Sequence, residues 1–230
     1  MKITFTNTLD VDIEKPIPAS KVLPDWYKEL NSYMGNKKDP HKAIAENQVG
    51  TAKRCMPLFD AITSGYLITS VSDVYVKQVD GQPYYSWSGL EQIEFHPTEQ
   101  LPVHPQNKTH KISFPKWNNF WGIKTPKGYS CLIVSPMHRD LPFTIFPGVV
   151  DTDTYSAPIK FPFTLNSAGY EGLIPAGTPI AQVIPFKRDS WEMEFGLDKD
   201  LKEIKNIHHK LSSKFFDAYK IFFRQNKEYK

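Results

Sequence analysis

The sequence predicts a mainly β protein with short helices in its N-terminal half and a long α-helix at its C-terminus, α+β overall. Nineteen prolines against twelve glycines in 230 residues suit many short strands closed by rigid turns, because proline lacks an amide N–H and is shut out of helix interiors and central strands. Across residues 111–190, aromatic and β-branched runs alternate with Pro/Gly turns, the pattern of a barrel or sandwich. Beyond Asp198 the apolar period becomes three and four, which is helical.

Each element follows from its local pattern. Residues 1–14 alternate Ile3, Phe5, Val11 and Ile13 with polar neighbours, a strand of period two broken by a turn. Pro16, Pro18 and Pro24 precede a short helix through Leu30, opened by Asp25 at the positive end of the helix dipole. Residues 31–50 are polar and turn-rich and read as a surface loop. Met56, Leu58, Phe59, Ile62, Tyr66 and Leu67 recur at helical spacing, predicting one buried helix over 54–68 with Gly65 near its end as the stop. Val74 and Val76 alternate with Tyr75 and Lys77, and Asp80-Gly81 is a two-residue hairpin turn. The Pro-rich EFHPTEQLPVHPQ reads as a crossing segment that leads to aromatic strands around residues 114–121 and 129–134. Val149-Val150 and residues 159–163 read as two strands of a hairpin whose tip is 151–158. Leu201, Ile204, Ile207, Leu211, Phe215, Tyr219 and Phe222 form one apolar stripe, predicting a single amphipathic helix over 198–229. The expected organisation is a single domain, 1–230, in which segments of 1–110 wrap a core at 111–190.

Composition removes several function classes. A net charge of +3 gives no basic footprint, so no nucleic-acid partner is expected. No run approaches the roughly 18 apolar residues of a membrane span, and acids stand where a signal peptide needs an apolar stretch, so a cytoplasmic protein without membrane attachment is expected. Cys55 and Cys131 form no CxxC unit and read as two free, buried thiols. The sequence holds no G-x-G-x-x-G, P-loop, H-E-x-x-H or G-x-S-x-G, which removes the main support for dinucleotide oxidoreductases, P-loop ATPases, zincins and α/β-hydrolases.

Three motifs in order carry a more specific reading. They are PKGYSCLIVSP at 126–136, GVVDTDTY at 148–155 and IPAGTPIAQVIPF at 174–186. Their succession resembles the trimeric dUTPase and dCTP deaminase superfamily over about residues 120–188, under half of the chain. Gly148, Val149, Val150, Asp151, Thr152 and Asp153 match its GVIDSDYRGEI-like segment, and Ala176, Gly177, Ile180, Ala181, Gln182 and Val183 its KPGDRIAQLV-like strand. The resemblance implies a β-clip barrel, which in this chain the C-terminal helix would close, and a homo-oligomer, a trimer on the family's habit. It also implies a nucleotide-like ligand. Asp151 would then position the attacking water, with Asp153 as the second catalytic acid, Tyr155 stacking under a deoxyribose and Gln182 near phosphates. A carboxylate with a pKa well below 7 suits such water activation.

The departures from the pattern point to divergent catalysis. Thr154 displaces the tyrosine by one position, and Ser156-Ala157-Pro158 stands for Arg-Gly-Glu. The phosphate-clamping PRSGLA motif is replaced by residues 136–141, where Arg139 and His138 remain as anion contacts, and the glycine-rich tail is absent. The expected function is binding, with hydrolysis a further option, of a pyrimidine nucleotide or related phosphate-containing small ligand. No cofactor is expected beyond a Mg²⁺ that would accompany a triphosphate. The alternative is a non-catalytic interaction module that keeps the barrel without an active site. A further resemblance, carried by KVLPDWYKEL, KRCMPLFDAITSGYLI, EFHPTEQ and PFKRDSWEM, is to an uncharacterised family of tailed phages and bacteria, and implies a phage or bacterial source.

Other groups read as structural. His96, His104, His110 and His138 fit no familiar zinc framework and read as loop histidines, with no metal expected. Glu94, His96, Glu99 and Gln100 can equally line a polar pocket. Trp117, Phe120 and Trp121 lack interleaved basic residues and read as core or subunit interface. Lys53-Arg54 and Lys187-Arg188 read as solvated pairs, either of which would help to hold phosphate if it faced the acids.

Overall fold

The computed structural model describes residues 1–34, 50–100, 113–213 and 217–230. Its contacts divide it into two units: Met1–Lys21 with Gly65–Arg188, and Val22–Ser64 with Asp189–Lys230. The chain is mainly β, with the strands in the first unit and the α-helices in the second.

Fourteen strands are described: β1 (Thr4–Asn7), β2 (Ile17–Pro18), β3 (Tyr66–Thr69), β4 (Val74–Val79), β5 (Gln82–Trp87), β6 (Ile93–Pro97), β7 (Ser113–Trp117), β8 (Trp121–Lys124), β9 (Tyr129–Val134), β10 (Phe143–Ile145), β11 (Gly148–Val150), β12 (Phe161–Leu165), β13 (Gly172–Ile174) and β14 (Pro179–Lys187). They form a five-stranded sheet, β11-β9-β14-β3-β2, a four-stranded sheet, β10-β12-β7-β6, a three-stranded sheet, β13-β4-β5, and the pair β1-β8. The sheets enclose one apolar core in which Trp117 stacks on Phe163 at 5.0 Å, with Phe143 at 5.1 Å from Trp117 and Tyr85 edge-on to Phe163. Burying each of these rings contributes about 1.5–3 kcal/mol, which is why the Pro-rich chain settles into short strands that aim their aromatic residues inward.

The DG hairpin is as read: Asp80 and Gly81 have φ of 51° and 71°, the left-handed pair that a two-residue turn needs, between β4 and β5. Other expectations change. The helix expected over 54–68 is α2 (Met56–Thr63) followed by β3, so Tyr66 and Leu67 belong to a strand. Gly65 makes the break: its φ is 70°, and a Cβ there would lie 2.0 Å from the Val183 carbonyl oxygen of β14. The expected crossing segment begins as β6, paired with β7, while 101–112, with His104 and His110, lie outside the described residues. Loop 31–50 lies mostly outside them too. Cys131 is buried, but Cys55 is exposed.

The hairpin expected around 151–158 is not one. β11 pairs with β9, whereas β12 pairs with β7 and β10, so 151–158 connects two different sheets. Burial decides this partition. Phe161 and Phe163 are buried in the core, while Val149 is exposed at a sheet edge.

In the second unit, α1 (Asp25–Glu29) carries buried Tyr27, whose hydroxyl donates to the Lys53 carbonyl at 3.2 Å. Asp60 of α2 accepts from Arg224 at 2.7 Å and Lys227 at 2.9 Å, tying α2 to the C-terminal segment. The C-terminal helix is present as α3 (Asp198–Ser212), capped by Asp200 Oδ2 accepting from the Leu197 N–H at 2.6 Å, with none of its residues buried. It does not continue to 229. A second helix, α4 (Ala218–Phe222), starts after Asp217, whose φ of 55° takes the backbone out of the helical region. No helix among the described residues is long and apolar enough to cross a membrane.

Candidate functional site

The loop after β11 is folded by its own sequence. Thr152 is fully buried, its hydroxyl 2.7 Å from that of Thr125 and donating to Cys131 Sγ at 3.3 Å. With Thr152 fixed inward, Asp151 before it is left facing solvent while Asp153 after it folds back toward Gly128 and Arg188. The amides of Thr154 and Tyr155 then donate to the Asp151 carbonyl at 3.0 and 2.8 Å, a single helical turn that carries Asp151 and Tyr155 together. Gly122 of β8 makes room for this loop, since a Cβ there would lie 2.6 Å from the Ser156 carbonyl oxygen.

The two acids are held differently. The Asp153 side chain is 3 % exposed; its Oδ2 accepts from the Gly128 N–H at 2.8 Å and from Arg188 Nη2 at 2.5 Å, and its Oδ1 from Arg188 Nη1 at 2.8 Å. This bidentate pairing, with the Gly128 amide, holds its carboxyl down at about 2. Asp151 is 61 % exposed, and its Oδ1 accepts from the Ser130 hydroxyl at 2.6 Å and Arg188 Nη1 at 3.1 Å. Arg188 itself is fixed by the sheet. Its amide donates to the Gly128 carbonyl at 2.8 Å and Nη1 to Ser130 Oγ at 3.0 Å, one residue beyond the Lys187–Tyr129 register pair. With both acids ionised the group carries a net −1.

Of the sequence-expected residues, Asp151, Asp153 and Tyr155 share this loop, with Tyr155 exposed. Gln182 does not join them. It pairs with Val134 on β9, four residues or about 13 Å along the strand from Phe186, the partner of Ser130. Fully buried, it accepts the Met137 amide at 2.8 Å and so shapes the turn that bears His138, at φ 55°, and Arg139. Arg188, half of a basic pair that the sequence offers as a phosphate contact if it faced the acids, does face them and is engaged by both; Ser130 is the member that sequence reasoning did not place in the site, and it gave no signal.

A second polar group lies on the four-stranded sheet. Lys116, 10 % exposed, meets Glu94 Oε2 at 3.0 Å and His96 Nε2 at 3.0 Å, and Lys160 closes on the other Glu94 oxygen. Burial first, then the Lys116 charge, pushes the His96 imidazole below its ordinary value, and the lysines hold Glu94 below its own. Among the described residues no three or more His, Cys, Asp or Glu lie close enough to hold a metal ion.

No protein-family model matches the chain, and no curated protein matches it. Among solved structures it is similar to a mutant dUTPase from phage phi11 of S. aureus, a protein with a structural Mg(II) ion, at 12% identity and a TM-score of 0.36, over 86% of this chain and 98% of that one.

Proposed function

We propose that the chain binds a pyrimidine nucleotide or a related phosphate-containing small ligand at the 151–155 loop, on a β-clip-like barrel whose catalysis has diverged from that of dUTPases. The observation that carries this reading is the split between the acids: Asp153 is buried and spent on Arg188 and Gly128, while Asp151 faces solvent, oriented by Ser130 and Arg188 and one helical turn from an exposed tyrosine. A purely structural turn has use for the first acid alone. Asp151 is placed to accept from a water or a ligand hydroxyl, and Tyr155 to offer a ring face to a sugar or base.

Because the acid–arginine group has a net −1 charge, the phosphates of such a ligand lie away from it. Lys127, beside Gly128 in the sequence and exposed, is a cation suited to receive them, alongside the Arg139 and His138 that the sequence suggests as anion contacts. The two carboxylates already face a guanidinium, so a Mg²⁺ belongs on the oxygens of a triphosphate. The test is a thermal-shift screen with dUTP, dCTP and their monophosphates, paired with a hydrolysis assay. Binding to the folded state alone adds about 2.7 kcal/mol at a hundredfold excess over Kd. Asp151→Asn should keep the melting temperature and lose any turnover; turnover that survives this change refutes the catalytic role.

The alternative, an interaction module, is favoured by one observation of its own: the apolar side chains of residues 191–197 stand in solvent.

A further inference from the structure

α3 has fifteen residues and none of them is buried, yet it is not polar all round. Leu197, just before it, lies in one helical stripe with Leu201, Ile204 and Leu211. Leu197, Leu201 and Ile204 are 68, 49 and 61 % exposed and line one open depression. α3 also contacts α4, and its Ile207 and Leu211 are half-buried. Trp191, Met193 and Phe195 stand in solvent just upstream. Of the 21 large apolar side chains exposed among the described residues, nine fall within residues 191–222. Apolar residues exposed singly need no explanation, but a concentration of this kind marks an interaction surface.

The remaining faces of α3 are basic. At about 100° per residue, Lys205 and Lys210 flank the apolar stripe on opposite sides and Lys199 and Lys202 lie behind it, all four exposed. Asp200 is spent on the Leu197 amide, which leaves Asp198 and Glu203 against the four lysines. The same bias extends past the helix: residues 198–230 hold nine Lys and Arg against five Asp and Glu, a net +4, while residues 1–197 sum to −1. Asp189, Glu192 and Glu194 precede this stretch, and the two glutamates alternate with Trp191, Met193 and Phe195. In an extended chain that order sends the apolar side chains one way and the carboxylates the other.

We infer that α3 and residues 191–197 rest on an anionic lipid surface, with the Leu197–Leu201–Ile204 stripe at the boundary between headgroups and acyl chains and the lysines against acidic headgroups. Each competing occupant uses only half of this surface. A nucleic acid would meet the lysines and leave the apolar side chains wet. A second copy would cover the apolar side chains and bring like charges together. An anionic bilayer takes both. Lysines suit the two flanks, because their stems run along apolar surface while the ammonium stays in water. The helix lies on the surface and does not cross it, since no helix among the described residues is long and apolar enough to span a membrane. The expectation of no membrane attachment rested on the missing span and signal peptide, and a surface-lying helix needs neither. The inference does not depend on nucleotide binding.

The test is flotation of the full chain with two kinds of vesicle, phosphatidylcholine alone and two parts phosphatidylcholine to one part phosphatidylserine. The wild type should bind the mixed vesicles at least about tenfold more tightly than the neutral ones, and less tightly as salt screens the lysines. Leu201→Asp/Ile204→Asp should lose binding with an unchanged melting temperature, since both residues are exposed. Lys202→Gln/Lys205→Gln should lose most of the preference for phosphatidylserine. No flotation of the wild type with the mixed vesicles overturns the inference, and so does equal flotation with both kinds; neither result needs a variant to fold. A folded Leu201→Asp/Ile204→Asp chain that still floats overturns it as well. Sedimentation without lipid completes the test: a wild-type assembly that this double variant dissolves gives the stripe to a second copy and overturns the lipid assignment. None of these outcomes bears on the nucleotide reading.

Discussion

Arg188 grips Asp153 through both terminal nitrogens, at 2.8 and 2.5 Å, and so fastens the end of β14 to the loop that follows β11. The two segments belong to one sheet but are separated by β9. The bridge therefore spans a strand and fixes how the 151–155 loop stands over the sheet.

That grip predicts an acid limb in the stability of the loop. The Asp153 carboxyl is depressed in the folded chain, so its contribution is complete above the unfolded carboxylate value near 3.9 and is lost as pH falls toward about 2. Proton exchange of the Gly128 amide, which donates to Asp153, reads this directly. Protection should fall between pH 4 and 2 in the wild type, and Asp153→Asn should show low protection without that pH dependence. A wild-type limb centred near pH 4 or above would contradict the pairing.

Gly65 and Gly81 have nearly the same positive φ but different surroundings, so they separate strain from overlap. Gly81→Ala meets nothing within 4 Å and should cost only the left-handed penalty of about 1 kcal/mol. Gly65→Ala adds a collision with the Val183 carbonyl and should cost at least about 2 kcal/mol more. Chemical denaturation of the two variants measures both; equal costs would mean that β3 and β14 can part without penalty.

The Lys116 group predicts a shift in a single titration. Lys116→Met keeps the buried stem but removes a positive charge 3.0 Å from His96. The imidazole, now held low by burial and Lys116, should titrate closer to its ordinary value in the variant, as followed by its ring proton NMR signals. The native depression favours neutral His96, so its stabilising contribution is present above the unfolded value near 6.5 and wanes as pH falls through the lower folded value. An unmoved titration would show that the Lys116 charge is screened.

In the core, Phe163→Ala removes the ring that stacks on Trp117 and touches Tyr85 and Phe143. It should cost about 3–5 kcal/mol in denaturant unfolding.

What the sequence made legible was local. The Asp80-Gly81 turn, the β-rich middle and the helix beginning at Asp198 each declare themselves within a few residues, because turn dihedrals and helical period are short-range properties. Partner choice between strands is not. Val149-Val150 and Phe161–Leu165 look like one hairpin from their spacing, yet the aromatic residues of the second strand are drawn to Trp117 in another sheet. Tyr66 and Leu67 continue a helical pattern by spacing alone, and only the approach of β14 at Gly65 makes them a strand. The same limit applies to the site. Asp151, Asp153 and Tyr155 are neighbours in sequence and could be picked out together, whereas Arg188 and Ser130 arrive through the β9–β14 register, and Gln182 is carried away by it.

Isothermal titration with a non-hydrolysable dUTP analogue, run on the wild type and on Tyr155→Ala and Asp151→Asn, tests the nucleotide reading most directly. The account predicts saturable binding to the wild type at one site per chain, weakened at least tenfold in each variant while their melting temperatures without ligand stay within a few degrees of the wild type. Absence of binding, or equal affinity in all three proteins, would contradict it.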